Sequence, residues 1–183
     1  MKGHAGERLA PAARRIAVIA CAALLAVSLT VACNPVDSDA IAALGGEAPG
    51  VRRGPLHRPG QPCLLCHDGA LGDPPAFTVA GTIYMLPAEA GAAANETVFL
   101  KDAIGSTHVT HATNAAGNFY VTPDEWSPVY PLSGVTVGPQ DGGVHMLSNV
   151  GRNGSCAACH VDPAGPGSPG HVCLTLADGG VPP

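Results

Sequence analysis

Two pentapeptides of one form, Cys63-Leu64-Leu65-Cys66-His67 and Cys156-Ala157-Ala158-Cys159-His160, constrain this chain more than any other feature. In C-x-x-C-H a single turn of backbone carries both thiols to the same edge of a planar partner. The residue that follows can turn an imidazole toward that partner's centre. With seven cysteines and eight histidines in 183 residues, chance supplies roughly 0.01 such pentapeptides. Two copies are therefore a built feature.

The chemistry that asks for this spacing is covalent attachment of a c-type haem, with two thioethers to the porphyrin edge and the histidine on iron. On that reading Cys63, Cys66, Cys156 and Cys159 attach two covalently bound c-type haems, and His67 and His160 are the proximal iron ligands. The pair of motifs resembles an exported di-haem c-type cytochrome. Two other uses of paired cysteines exist. Four thiolates from two C-x-x-C pairs can cage zinc, but an exported chain in an oxidising compartment is poorly suited to it. A thioredoxin-like disulfide wants a strand followed by a helix N-terminus in a βαβ pattern, and no such pattern precedes either motif.

Export is read from the N-terminus. Lys2, Arg8, Arg14 and Arg15 precede an uncharged run from Ile16 to Ala32, the plan of a secretory leader over residues 1–32. Its close, Leu29-Thr30-Val31-Ala32-Cys33, resembles a bacterial lipobox and implies lipidation of Cys33. Asn34 in the next position resembles an outer-membrane rather than an inner-membrane address. The alternative is an uncleaved N-terminal helix, since the run is just long enough to span a bilayer. Either way the expectation is a periplasmic or cell-surface protein tethered to a membrane. From Cys33 onward five Lys or Arg stand against thirteen Asp or Glu, so the formal charge moves from −5 to −8. That acidity argues against nucleic acid as a partner and leaves redox partner proteins and the membrane.

Residues 33–56 are rich in Ala, Gly, Pro and Asp and read as a flexible linker with one helical turn near Ile41. A first haem-binding segment follows at 57–76. Between 77 and 137 the character changes to short β-like runs, Phe77–Tyr84, Thr97–Asp102, Thr107–Thr113, Gly117–Val121 and Val135–Val137, separated by Gly- and Asn-bearing turns. Residues 138–183 form the second, loop-rich haem-binding segment, with a short helix at the motif and a possible strand at Val172–Leu176. The runs Val79-Ala80-Gly81-Thr82-Ile83-Tyr84, Val98-Phe99-Leu100-Lys101-Asp102 and Thr113–Val121 resemble the carboxypeptidase-regulatory-like (transthyretin-like) β-sandwich. That resemblance implies a scaffold or binding module and brings no catalytic residue. All seven aromatic residues fall between Phe77 and Tyr130, so the flanks have little with which to build a core of their own. The fold class expected is mainly β: a small sandwich between two haem-binding segments with short helices.

The sixth ligands decide the redox properties. His57 lies six residues before Cys63, in a pattern similar to the H-x-x-G-x-x-C-x-x-C-H of some exported multihaem cytochromes, where the upstream histidine is an axial ligand. The loop is short for closing over its own haem, so service to the other haem is the alternative. Before the second motif, Met146 and His145 are joined to it by a flexible stretch, with Met146 preferred. His111 is a weaker candidate. It stands three residues from His108 on an expected strand, so the two point to opposite faces, and His108 and His171 read as ordinary surface histidines. Asp124-Glu125 reads as a solvated turn. Cys173, the thiol left over, is expected to be buried.

Taken together the residues point to a membrane-tethered di-haem electron carrier rather than a catalyst. The competing readings are a sandwich that binds a surface partner with haems as staples, and a di-haem peroxidase-like oxidoreductase with one open iron.

Overall fold

The computed structural model describes residues 38–47, 50–69, 72–86, 91–161 and 164–174, all within one unit that spans residues 37–183. The leader and Cys33 lie outside the described residues. Among those described, no helix is long and apolar enough to cross a membrane.

The fold is mainly β. Helix α1 (Ser38–Ala43) is followed by strands β1 (Val79–Thr82), β2 (Val98–Lys101), β3 (Thr107–Val109), β4 (Asn118–Val121), β5 (Gly134–Val137) and β6 (Val144–His145). Two antiparallel sheets result, one of β1 with β4 and one in the order β3-β2-β5-β6. Strands β1 to β4 fall inside the runs read from the sequence, trimmed at one or both ends, whereas β5 begins one residue earlier than expected, at Gly134. β6 was not expected. It is only two residues long, paired through Thr136↔His145 and Val137↔Val144, too short for period-two alternation to mark it.

The two sheets form a small sandwich because alternate residues of each face the other. In β2, Val98 and Leu100 are buried, and in β4, Phe119 and Val121, as period two requires. They meet Val79, Ile83, Leu132 and Val137 in one core. Within this core a carboxylate ties the turn after β2. Buried Asp102 accepts at Oδ1 from the N–H groups of Ile104 (3.0 Å) and Ser106 (2.8 Å), and at Oδ2 from Val129 N–H (3.1 Å). Burial alone pushes its carboxyl up, but the donors of Val129, Ser106, Ile104 and Gly105 outweigh that and hold it below the usual carboxylate range.

Strand β1 differs from the others in being buried at all four positions. One reason is that both C-x-x-C-H segments pack on it. The flanks therefore lean on the sandwich.

Candidate cofactor site

Each motif opens as a single 3-10 turn, Cys63–Leu65 and Cys156–Ala158. In both, an extended residue (Pro62 or Ser155) leads in, and the backbone N–H of the histidine reaches the carbonyl of the first cysteine, 3.0 Å for His67 and 2.9 Å for His160. The same turn is built twice from different intervening residues. The geometry thus follows from the C-x-x-C-H spacing and its lead-in, not from Leu64-Leu65 or Ala157-Ala158.

The histidines are held in one tautomer. His67 Nδ1 lies 2.9 Å from the carbonyl oxygens of both Asp73 and Pro75, and His160 Nδ1 lies 2.9 Å from that of Gly170. A carbonyl oxygen only accepts, so Nδ1 carries the proton in each ring and Nε2 keeps its lone pair. This is how metal-ligating histidines are commonly oriented, with the far nitrogen bonded to a carbonyl. His57 has the same arrangement, its Nδ1–H donating to Gly54 O.

The rings of His57 and His67 are neighbours, their centroids 5.9 Å apart and their planes inclined at 58°. An imidazole nitrogen binds a transition metal at about 2 Å, so two rings on opposite sides of one ion have centroids about 6 Å apart. The loop that was read as too short reaches back because Arg58 (φ 50°) and Gly60 (φ 76°) both adopt left-handed backbone. His57 therefore sits with the histidine of its own motif, not with His160.

These two rings border a cleft of about 560 Å³, within the size range of small-molecule and cofactor pockets. Cys63 and Cys66 lie on it, and Phe77, Phe119 and Tyr120 give it an apolar wall. Phe77 packs on the ring of His67 at 4.5 Å and stacks on Tyr120 at 4.6 Å, so the sandwich lends the aromatics that the flank lacks. Ile41 and Leu44, from the segment read as a linker, also line the cleft. That segment is fastened by Arg58, which donates to Glu47 Oε1 (3.1 Å) and Gly45 O (2.9 Å). Arg53 adds an exposed cation, 4.0 Å from Asp73.

The second motif is anchored from the other side of β1. A Cβ on Gly81 would lie 2.8 Å from both Cβ and Sγ of Cys156, whereas the next residue, Thr82, accepts at Oγ1 from Gly60 N–H of the first loop (2.8 Å). Successive strand residues point to opposite faces, so one four-residue strand separates and joins the two attachment segments. Tyr84 continues the junction. Its N–H donates to Val172 O (2.9 Å) and its ring stacks on His171 at 4.1 Å. Cys173 is half-buried here and bridges to Tyr84 through backbone.

The first thiol of each motif is a poor thiolate. Burial pushes Cys63 up to about 11, with Cys66 adding to the rise, and Cys156 up to about 12, with Cys63 and then Cys159 adding to it. A redox-active C-x-x-C or a thiolate cage needs the opposite shift. Among the described residues, no three His, Cys, Asp or Glu side chains gather about one point that could hold a metal ion, although the Cys63 and Cys156 thiols lie near enough to interact.

The remaining histidines go elsewhere. His145 is exposed on β6 with Nδ1 2.8 Å from Thr136 Oγ1, and Met146 extends that ladder through its N–H to Val135 O (3.0 Å). His111 lies beyond the end of β3, with Nε2 3.0 Å from Glu125 Oε1. His108 stacks on Trp126 at 5.6 Å. Glu125 caps its own turn by accepting from the N–H and hydroxyl of Thr122 (2.7 and 2.9 Å). Sequence reasoning missed Phe77, Tyr120 and Asn118 as parts of the site. Phe77 leads into β1, and Asn118 and Tyr120 lie on β4; confinement of the aromatics to that region signalled Phe77 and Tyr120, and nothing in the sequence signalled Asn118.

Comparison with protein-family models, curated proteins and solved structures finds no match to this chain.

Proposed function

We propose that this chain is a di-haem c-type cytochrome that carries electrons outside the cytoplasm. The observation that carries the reading is the first site: two histidines with free Nε2 lone pairs, 5.9 Å apart, across a cleft edged by Cys63 and Cys66. The donor set fits haem. A covalently held haem supplies one-electron redox chemistry at iron.

The chain's own residues do the rest. Cys63, Cys66, Cys156 and Cys159 would hold the group through thioethers, a net addition of S–H to each vinyl group that would consume no oxidant. Burial keeps the Cys63 and Cys156 thiols protonated, which would slow the competing disulfide before attachment. Carbonyls of Asp73, Pro75 and Gly170 fix the proximal imidazoles and raise their basicity. Phe77 and Tyr120 offer an apolar wall for the group to pack on, and Arg53 would offer a cation to its carboxylates. His67 and His57 together would hold the group in the first cleft, which favours an electron carrier over a peroxidase. At the second motif His160 would hold it, with Met146 as the candidate partner. Because both segments lean on β1, the two centres form one conduit, and the acidic surface selects basic redox partners.

The test is the intact mass of the mature chain produced with haem-attachment machinery, followed by potentiometric titration. Two added haem masses and two reversible one-electron waves are expected. A chain that matures without haem, or whose haems are redox-silent, overturns the reading.

A further inference from the structure

We propose that Asn118 and Thr82 are a positioning pair through which the β1–β4 sheet holds His57 on the iron of the first site. This rests on the reading of His57 as distal ligand and goes beyond it, by assigning to the sandwich the control of that coordination bond.

The two residues are register partners across the strand pair, and between them they grip the His57 loop on both sides. Asn118 Nδ2 donates to the carbonyls of Pro55 (3.2 Å) and His57 itself (3.1 Å). Thr82 Oγ1 accepts from Gly60 N–H (2.8 Å) and donates to Asn118 Oδ1 (2.7 Å). Asn114 adds a second amide on Pro55 O at 2.6 Å.

The direction of every bond is fixed. Carbonyl oxygens only accept, so the amide nitrogen of Asn118 faces the loop and its oxygen faces Thr82. The threonine hydroxyl gives its proton to that oxygen and keeps a lone pair for Gly60. Each donor meets an acceptor with none to spare, and Thr82 is buried, where an unmatched polar group is costly.

The loop needs holding. Arg58 sits in left-handed backbone, which a side-chain-bearing residue does not adopt freely, and a Cβ on Gly60 would lie 2.5 Å from Tyr84 Oη. Released from Asn118 and Thr82, the loop has cheaper conformations in which His57 leaves the cleft. These side chains spend their bonds on the loop that bears the ligand, so their role is to set the fraction of time His57 is bound.

The experiment uses holoprotein whose two haems are confirmed by intact mass, and reads carbon monoxide binding by the reduced form together with the high-spin ferric signal. His57→Ala opens the first iron and defines the spectrum of that state. Asn118→Ala and Thr82→Val are expected to give the same spectrum in part, with the apparent affinity for carbon monoxide at that haem raised about tenfold for the loss of roughly 1.4 kcal/mol of hydrogen bonding. Thr82→Ser, which keeps the hydroxyl, is expected to behave as the parent chain. If His57→Ala opens the site while Asn118→Ala and Thr82→Val match the parent, the positioning role is overturned and the ligand assignment stands. If His57→Ala changes nothing, the assignment fails and the proposal falls with it. Should Asn118→Ala not accumulate as holoprotein, the two variants at Thr82 decide alone, since Thr82→Val replaces only the hydroxyl and Thr82→Ser removes only the methyl group.

Discussion

Gly81→Ala sets two effects of opposite sign against each other at the junction of sandwich and second motif. Gly81 lies in β1 with ordinary strand backbone. At such a position Gly→Ala reduces the entropy of the unfolded chain and stabilises by about 0.4–1 kcal/mol. The added methyl, however, would lie 2.8 Å from Cβ and Sγ of Cys156 and 3.1 Å from Cε1 of Phe119. Carbon contacts are most favourable at about 3.5–4.0 Å, so Cys156 must retreat by roughly 1 Å. Forcing a methyl into a packed interior costs about 1–3 kcal/mol. The second effect is larger, and the expected net is a loss of about 1–2 kcal/mol. For a unit of this size that lowers Tm by about 2–8 °C. Thermal unfolding followed by circular dichroism reads the shift, and intact mass reads a fall in the fraction of chains carrying the second haem. Gly151→Ala, where nothing lies within 4 Å, is the control: it is expected to leave haem attachment unchanged and to show only the stabilisation of about 0.4–1 kcal/mol. A Gly81→Ala chain as stable as the parent, or more so, with two haems attached, refutes the close approach of Cys156 to β1.

Three further outcomes test other parts of the molecule. Leu100→Ala removes a fully buried side chain from the centre of the core and is expected to cost about 2–5 kcal/mol, read as a lowered denaturant midpoint with unchanged slope. Asp102→Asn tests the buried carboxylate. Its folded pKa is depressed, so its contribution is present above the unfolded value of about 3.9 and is lost as pH falls through the folded value. The stability gap between parent and variant is therefore expected to be widest near neutrality and to narrow below about pH 4, and a gap independent of pH refutes it. Replacing Cys156 and Cys159 together by Ala is expected to remove one haem mass and to move the reduction midpoint of the other. An unmoved midpoint refutes the conduit through β1.

What was legible in the sequence was local. C-x-x-C-H specifies its own turn, and the structure builds that turn twice from different residues. The alternating runs gave the central strands because burial of Val98 and Leu100, or Phe119 and Val121, has a period that can be read along the chain. The conformation of the His57 loop was not legible, because reach was judged from residue count, whereas the left-handed Arg58 and Gly60 fold the loop back on itself. Nor was its clamp. Asn118 lies 61 positions from His57, and an isolated Asn-Phe-Tyr-Val looks like any strand with a polar first residue. His145 was weighed as a ligand since proximity to the second motif was the only criterion available. Its place on β6, bonded to Thr136, depends on a two-residue pairing that no periodicity announces.

The shortage of aromatics in the flanks takes on a definite meaning once β1 is seen to carry both motifs. A segment of some twenty residues cannot enclose a cofactor with its own side chains, because too little surface is buried to offset the entropy of ordering it. Here the first segment borrows its wall from Phe77 and Tyr120 and its fastening from Thr82 and Asn118. The second seats its leading cysteine against a glycine in the same sheet. Small residues at Ala80 and Gly81, which weaken a strand by intrinsic preference, are then what allows the segments to come close. The strand gives up local stability, and in return two otherwise thin segments share one rigid support.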